Sequence, residues 1–296
     1  VAGVISLLLG ACAGKGDQEL IIAVQPTQAG AEVVEKVRPI EQFLEARLKG
    51  VDVKVFVPTS YTGVVEALRF GQAHLAFMSA WPTILAVREA KAELVLAEVR
   101  RVLHGDQEVE APYYFSYWVV PKDSPYRSLS ELRGKRACFP SPISTSGYVA
   151  PMARLVELGL LSAGQEVDPR AFFIDYVFGG GYQQCWEALR AGQVDVTVIA
   201  GDVSKKLYEE VLANTRILES QGPVPTHGVV ASKELKEPLR SQVIEAIIAL
   251  GEEEPELMRQ FISALFVRFQ PTNFQEHMGQ LARYLDVTGL PFVEGR

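Results

Sequence analysis

Three hydroxyl residues in a row, Ser144-Thr145-Ser146, precede Gly147-Tyr148 and follow a loop containing Pro140 and Pro142. At a strand-to-helix turn, such a run sets neutral hydroxyl donors beside the unpaired N–H groups of the first helical turn. The helix dipole adds about half a positive charge there. That combination suits a phosphoryl-type oxyanion. The plainer alternative is a single serine acting as an N-cap. Three glycines (179–181) lead into Tyr182, and a turn of this kind lets a ligand approach the backbone closely, although a glycine run is also an ordinary loop. Asp202 closes an apolar stretch at its carboxyl end. It can accept a proton from a protonated oxyanion, pair with an ammonium, or simply cap the next helix. Trp81, Tyr113, Tyr114 and Trp118 are candidates to line a cleft, or else core aromatics. No Gly-x-Ser-x-Gly elbow, Walker loop or His-Glu-x-x-His run occurs. The four histidines, His74, His104, His227 and His277, lack metal-ligand spacing, so neither a metal site nor a cofactor is expected.

The elements that must position these residues follow from periodicity. Residues 20–26 read as a buried strand and 28–49 as a helix with Val33, Val37, Ile40, Phe43, Leu44 and Leu48 on one face. Residues 51–58 alternate as a strand, 61–70 form a short helix closed by Gly71, and 73–78 form a strand. Strand–helix–strand in this order argues for a parallel sheet covered by helices. A second unit starts near residue 114. It has a strand over 113–120, a turn, short helix and strand over 122–139, and a loop and helix over 141–160. A strand over 171–178, a helix over 182–191 closed by Gly192, and a strand over 194–201 follow, and from GPVPTHGVVA (222–231) onward the chain reads as helical.

The run Glu-Ala-Leu-Arg-x-Gly-Gln occurs twice, at 66–72 and 187–193, each time five residues after a tyrosine, Tyr61 and Tyr182. Two α/β lobes of like topology, binding a ligand between the carboxyl ends of their strands, account for it. The alternative is convergence, since helices ending in Leu-Arg-x-Gly are common.

A formal net charge of -7 with no basic cluster argues against a nucleic-acid partner. The leading run VAGVISLLLGAC is shorter than the ~20 residues a spanning helix needs. Its end, Leu9-Gly10-Ala11-Cys12, resembles the lipobox of bacterial lipoproteins, with Cys12 the lipidated residue and residues 13–19 a polar tether. A short buried apolar segment with an incidental cysteine is the other reading. The apolar context of Cys138 and of Cys185 favours two separate buried thiols over a disulfide.

The segments YFSYWVVPKDSPYRSLSELRGKRACF (114–139), SPISTSGYVAP (141–151) and YTGVVEALRFGQAHLAFMSAWPTILA (61–86) resemble the phosphate, phosphite and phosphonate substrate-binding proteins of ABC transporters, the PhnD family. The resemblance spans about residues 20–275. It implies an α/β, two-lobed type II periplasmic-binding-protein fold, each lobe a mostly parallel sheet flanked by helices, closing by a hinge on ligand. Lobe I is expected over 20–115 plus 226–296 and lobe II over 116–225, after a signal remnant and tether at 1–19. Tyr61 and Tyr114 match family tyrosines that contact ligand, and Ser144, Thr145 and Ser146 match the cradle for phosphoryl oxygens. Asp202 falls on an acidic binding position. Tyr182 stands where the family commonly has a histidine, and His227 where an aspartate can help hold a ligand amino group. A tyrosine donates one neutral hydrogen bond and cannot carry a histidine's charge. Losing one carboxylate favours phosphate, phosphite or methylphosphonate over 2-aminoethylphosphonate. The implied partners are that small oxyanion, an ABC permease with its ATPase, and the membrane through Cys12. The protein is expected to be exported, monomeric and not an enzyme.

Three rivals stand beside this reading. The same fold accepts other anions and vitamin precursors. The protein can instead present its ligand to a membrane sensor. An enzyme on a two-lobed scaffold is disfavoured by the lack of a nucleophile–base pair.

Overall fold

The computed structural model describes residues 18–26 and 30–294, without the side chains of 30–36. Cys12, Gln28 and residues 13–17 of the proposed tether lie outside the described residues, whereas Gln18 and Glu19 of that tether are instead the first residues of a strand.

The strands and helices run β1 (Gln18–Val24), α1 (Gly30–Arg47), β2 (Val51–Phe56), α2 (Tyr61–Arg69), β3 (Leu75–Met78), α3 (Ala80–Glu89), β4 (Glu93–His104), β5 (Gln107–Ala111) and β6 (Tyr113–Pro121). Next come β7 (Arg136–Phe139), α4 (Ala150–Glu157), β8 (Asp175–Phe178), α5 (Tyr182–Arg190), β9 (Thr197–Ala200), α6 (Lys205–Asn214) and β10 (Thr215–Pro225). The chain ends with β11 (Gly228–Ala231), α7 (Leu239–Glu253), α8 (Pro255–Phe261), β12 (Phe266–Pro271) and α9 (Phe274–Thr288). On α1 the expected apolar face holds where side chains are described: Val37, Ile40, Leu44 and Leu48 are buried. Residues 171–178 are strand only from Asp175, because Phe172 and Phe173 turn into the core instead of alternating.

The larger sheet has the order β12-β4-β11-β3-β1-β2, with β5 hairpinned to β4. Apolar clusters cover both of its faces. A second sheet, β10-β6-β9, is joined to the pair β7-β8 by a bridge between Ala137 and Val196. The α/β architecture is as expected, but the sheets are mixed rather than mostly parallel. β1 pairs in parallel with β2 and β3, whereas β4, β10, β11 and β12 all pair antiparallel. The reason is topological. The chain passes from the large sheet to the small one between β5 and β6, then returns between β10 and β11. One crossing leads out of the large sheet and the other leads back, so β6 and β10, which flank them in the small sheet, pair in opposite directions. The crossings touch: Thr226 N and Oγ1 both donate to Pro112 O, at 3.0 and 2.9 Å.

The two copies of the repeated run become the helices α2 and α5, each opened by its tyrosine. Both are followed by a glycine with φ of +70°, Gly71 and Gly192, which supplies the left-handed turn after a helix end.

The cysteine expectation is corrected. Cys138 on β7 and Cys185 on α5 form a disulfide. The apolar periodicity that buries each thiol carries no information about their meeting across a separation of 47 residues. The glycine run has a related role: a Cβ on Gly179 would lie 2.8 Å from Cys185 Sγ and 3.0 Å from Cys138 Sγ, so the disulfide needs a glycine there. Changing both cysteines to alanine is expected to lower unfolding free energy by about 2–4 kcal/mol. Urea denaturation of the variant beside the oxidised wild type measures this, and equal midpoints would refute it.

Candidate functional site

The eight residues Tyr61, Tyr114, Ser144, Thr145, Ser146, Tyr182, Asp202 and His227 line one cavity of about 230 Å³, together with Trp81 and Phe292. Each arrives from the end of an element. Tyr61 and Tyr182 open α2 and α5, Tyr114 lies at the start of β6, and Asp202 follows the carboxyl end of β9. His227 sits on the return crossing before β11, and Ser144 caps while Thr145 and Ser146 open the single wide, π-helical turn (Thr145–Val149) that leads into α4. Two aromatic candidates are elsewhere. Trp118 is wholly buried in the core beside the small sheet, and Tyr113 is exposed and stacked on His104.

The hydroxyl turn does two jobs at once. Ser144 is an N-cap: its Oγ accepts from Gly147 N at 3.0 Å. A hydroxyl used as an acceptor keeps its hydrogen, so the capping role leaves Ser144 free to donate. Gly147 is required by closeness, since a Cβ there would meet Pro140 Cγ at 2.6 Å and Ser144 Oγ at 2.7 Å. Ser146 is buried and acts as a hub, with its Oγ 2.7 Å from Tyr182 OH and accepting from Tyr114 OH at 3.3 Å. Burial, then the nearby Asp202 carboxylate, raise the pKa of both phenols. Tyr114 and Tyr182 therefore remain neutral hydrogen-bond donors at any physiological pH. Asp202 does not cap α6; Ser204 does, accepting from Leu207 N.

The charges beneath the cavity come from β4, for which the motifs gave no warning. Glu98 and Arg100 lie two residues apart on this strand and are both buried. Arg100 Nε and Nη2 donate to Glu98 Oε2 at 2.9 and 2.7 Å, and its Nη1 lies 3.7 Å from Asp202 Oδ2. Glu98 Oε1 has no hydrogen-bond partner and lies 3.7 Å from His227 Nδ1. Burial raises the pKa of Glu98 and of Asp202, while Arg100 opposes both shifts. Burial, then Arg100, then His277 hold the His227 pKa well below the usual histidine value. His227 is thus a neutral imidazole, and Asp202 is a carboxylate already beside a cation.

His277 on α9 supports the same crossing, with its Nε2 3.1 Å from Thr226 O. Burial lowers its pKa to about 4. An unfolded histidine takes up a proton near pH 6.5. Below that value the unfolded state therefore binds the extra proton, and native stability falls as pH drops towards 4. The slope is at most about 1.4 kcal/mol per pH unit from this group. Glu98 and Asp202, with raised values, act in the opposite sense within their own range. His277→Asn is expected to flatten the decline in urea midpoint between pH 7 and 5; an unchanged slope would remove His277 as its source.

The profile of the family described as ABC transporter, phosphonate, periplasmic substrate-binding protein matches residues 22–276. The chain belongs to this family. Its members are substrate-binding components of transporters, not enzymes. The chain is 30% identical over 206 residues to the phosphate-import protein PhnD of Mycolicibacterium smegmatis, covering 66% of this chain and 62% of that protein's length. It is 24% identical over 253 residues to the phosphonates-binding periplasmic protein of Escherichia coli, covering 83% of this chain and 70% of the relative. Among solved structures, PhnD1 of Prochlorococcus marinus in complex with methylphosphonate matches with a TM-score of 0.56 at 18% identity, over 90% of this chain and 97% of that one. A Xanthomonas citri protein bound to ATP matches with a TM-score of 0.66 at 16% identity, over 91% and 98%. At such identities the structural likeness concerns the fold, which is the type II periplasmic-binding-protein fold.

Proposed function

We propose that this protein is the extracytoplasmic solute-binding lipoprotein of an ABC importer and captures a small phosphorus oxyanion lacking an amino group. The observation that carries the reading is the convergence of the Ser144–Ser146 turn, three tyrosines and Asp202 on one small cavity. At about 230 Å³ it falls below the roughly 300–1,000 Å³ of sites for drug-sized ligands. Tyr61, Tyr114, Tyr182 and the hydroxyl turn donate to the ligand oxygens. Asp202 accepts from a protonated oxygen of hydrogen phosphate, phosphite or a phosphonate. Sulfate has no proton to offer near neutral pH, so it gives that carboxylate no donor and is repelled by its charge.

Arg100 sharpens the choice among phosphorus ligands. An ammonium tail would find Asp202 already beside a guanidinium, and would find neutral His227 where a second carboxylate would help it. Phosphate, phosphite and methylphosphonate are therefore favoured over 2-aminoethylphosphonate. Closure is differential binding: the ligand satisfies donors from both halves of the chain only when the cleft is shut. The lobes are residues 20–115 with 226–296 and residues 116–225, hinged at the crossings around Pro112 and Thr226. Lipidation at Cys12 holds the protein at the membrane beside its permease and ATPase, where it works as a monomer.

Calorimetric titration of the anchor-free protein, unfolded and refolded to strip carried-over ligand, tests the reading. The panel is phosphate, phosphite, methylphosphonate, 2-aminoethylphosphonate and sulfate. Binding of a phosphorus species at least tenfold tighter than sulfate or the amino compound is expected. A preference for 2-aminoethylphosphonate would overturn the ligand choice, and silence across the panel would overturn the class.

A further inference from the structure

The last described residues form a strap across the cavity. Gly289 ends α9 in the left-handed conformation, and a Cβ there would meet the backbone of Gln165 and Glu166 at 2.9 Å. Just before it, Thr288 O accepts from Val167 N at 2.9 Å, fixing the strap's beginning against the small-sheet half. Its other end is fixed to the large-sheet half. The Glu294 carboxylate accepts from Thr62 N at 3.1 Å, from Thr62 Oγ1 at 3.0 Å, and from Tyr61 N. A carboxylate on the first N–H groups of a helix satisfies orphan donors and meets the positive end of the dipole.

Between these ends Phe292 stands edge-on to Trp81 and Tyr61, with ring centroids 5.3 and 6.1 Å away, and lines the ligand cavity. Its neighbours Pro291 and Val293 line a different, larger cavity of about 620 Å³. Successive strap residues thus border different cavities, with Phe292 on the small side and Pro291 and Val293 on the large one. The family match ends at residue 276, so the strap lies outside the matched segment.

Resting on the reading of the small cavity as a phosphorus-oxyanion site, we propose that this strap latches the closed cleft and that Phe292 sets the largest substituent a phosphorus ligand can carry. Glu294 holds the latch by bonding the α2 N-terminus, and Phe292 closes the wall between the two cavities. Phosphate or methylphosphonate stops short of that wall, and a butyl or phenyl group runs into it.

The test compares wild type, Phe292→Ala and Glu294→Ala in the full chain. Calorimetry with phosphate, methylphosphonate, butylphosphonate and phenylphosphonate reads the size limit. Wild type is expected to bind the two large phosphonates at least 100-fold more weakly than methylphosphonate. In Phe292→Ala that gap is expected to shrink at least tenfold. An unchanged gap in the variant would overturn the role of Phe292. Amide hydrogen exchange at Tyr61 and Thr62 reads the latch without any ligand, and Glu294→Ala is expected to speed it at least tenfold. Equal exchange rates would overturn the latch. A wild type that binds none of the four phosphorus compounds overturns the ligand reading and the size limit with it, while the exchange measurement still decides the latch.

Discussion

Replacing Arg100 with methionine is expected to lower unfolding free energy by roughly 3–5 kcal/mol, because it strands a buried carboxylate. The guanidinium makes two hydrogen bonds to Glu98, whose side chain is 1% exposed, and it lies beside Asp202. Methionine fills much of the same volume, so the loss measures uncompensated charge rather than a cavity. Burial already raises the Glu98 pKa, and removing Arg100 removes the main opposing influence. The folded variant then holds a proton on Glu98 at pH values where the unfolded chain has released it. Its stability should therefore decline as pH rises above about 4.3, the ordinary glutamate value. Adding Glu98→Gln to the variant removes the stranded charge and should recover most of the lost stability. Urea unfolding of both single variants and the double variant at pH 5 and 8 completes the cycle. A loss below 1 kcal/mol, or no recovery in the double variant, would contradict the account. The substitution also bears on the ligand. With its cation gone, Asp202 becomes an unpaired acceptor, and affinity for 2-aminoethylphosphonate relative to methylphosphonate should rise.

Six of the eight site candidates share one property: each is announced by local chemistry, whereas His227 rested on the family resemblance alone and Tyr114 on that resemblance and an aromatic run. A hydroxyl triplet beside a glycine, tyrosines at helix starts, and an aspartate closing an apolar strand are all short-range signals. The structure gathers those eight residues around one cavity. Glu98 and Arg100 were not legible because charges two apart on a strand share a face, and such pairs ordinarily face solvent. Only the covering of both faces of the large sheet turns that face inward. The Cys138–Cys185 bond and the seating of Phe292 were hidden for a related reason. Both are contacts between segments far apart in the chain, and periodicity reports burial without reporting the neighbour. The mixed sheets follow the same logic. The sequence identifies β6 as a strand but reads the stretch holding β11 as helical, and the direction of both is set by crossings between two sheets, which no single strand encodes.

The hub position of Ser146 makes it the sharpest test of the oxyanion cradle, and Ser146→Ala should weaken phosphorus-oxyanion binding by about 10- to 150-fold. That range is one hydrogen bond to a charged group, about 1.5–3 kcal/mol, converted to affinity. The larger end is expected because the hydroxyl also orients two other donors. It lies 2.7 Å from Tyr182 OH and 3.3 Å from Tyr114 OH, so its loss frees both phenols to rotate away from the ligand position. Stability should change little, since both phenols border the cavity and water can replace the lost partner. Tyr182→Phe removes one donor but leaves the Ser146–Tyr114 pair intact, so its effect should be smaller than that of Ser146→Ala. Titration of phosphate and methylphosphonate into both variants, with urea midpoints as the control for folding, separates these effects. If Tyr182→Phe proved the more damaging change, the phenol would be the primary contact and Ser146 only its support. An affinity within threefold of wild type for Ser146→Ala would instead place the bound oxyanion away from the turn altogether.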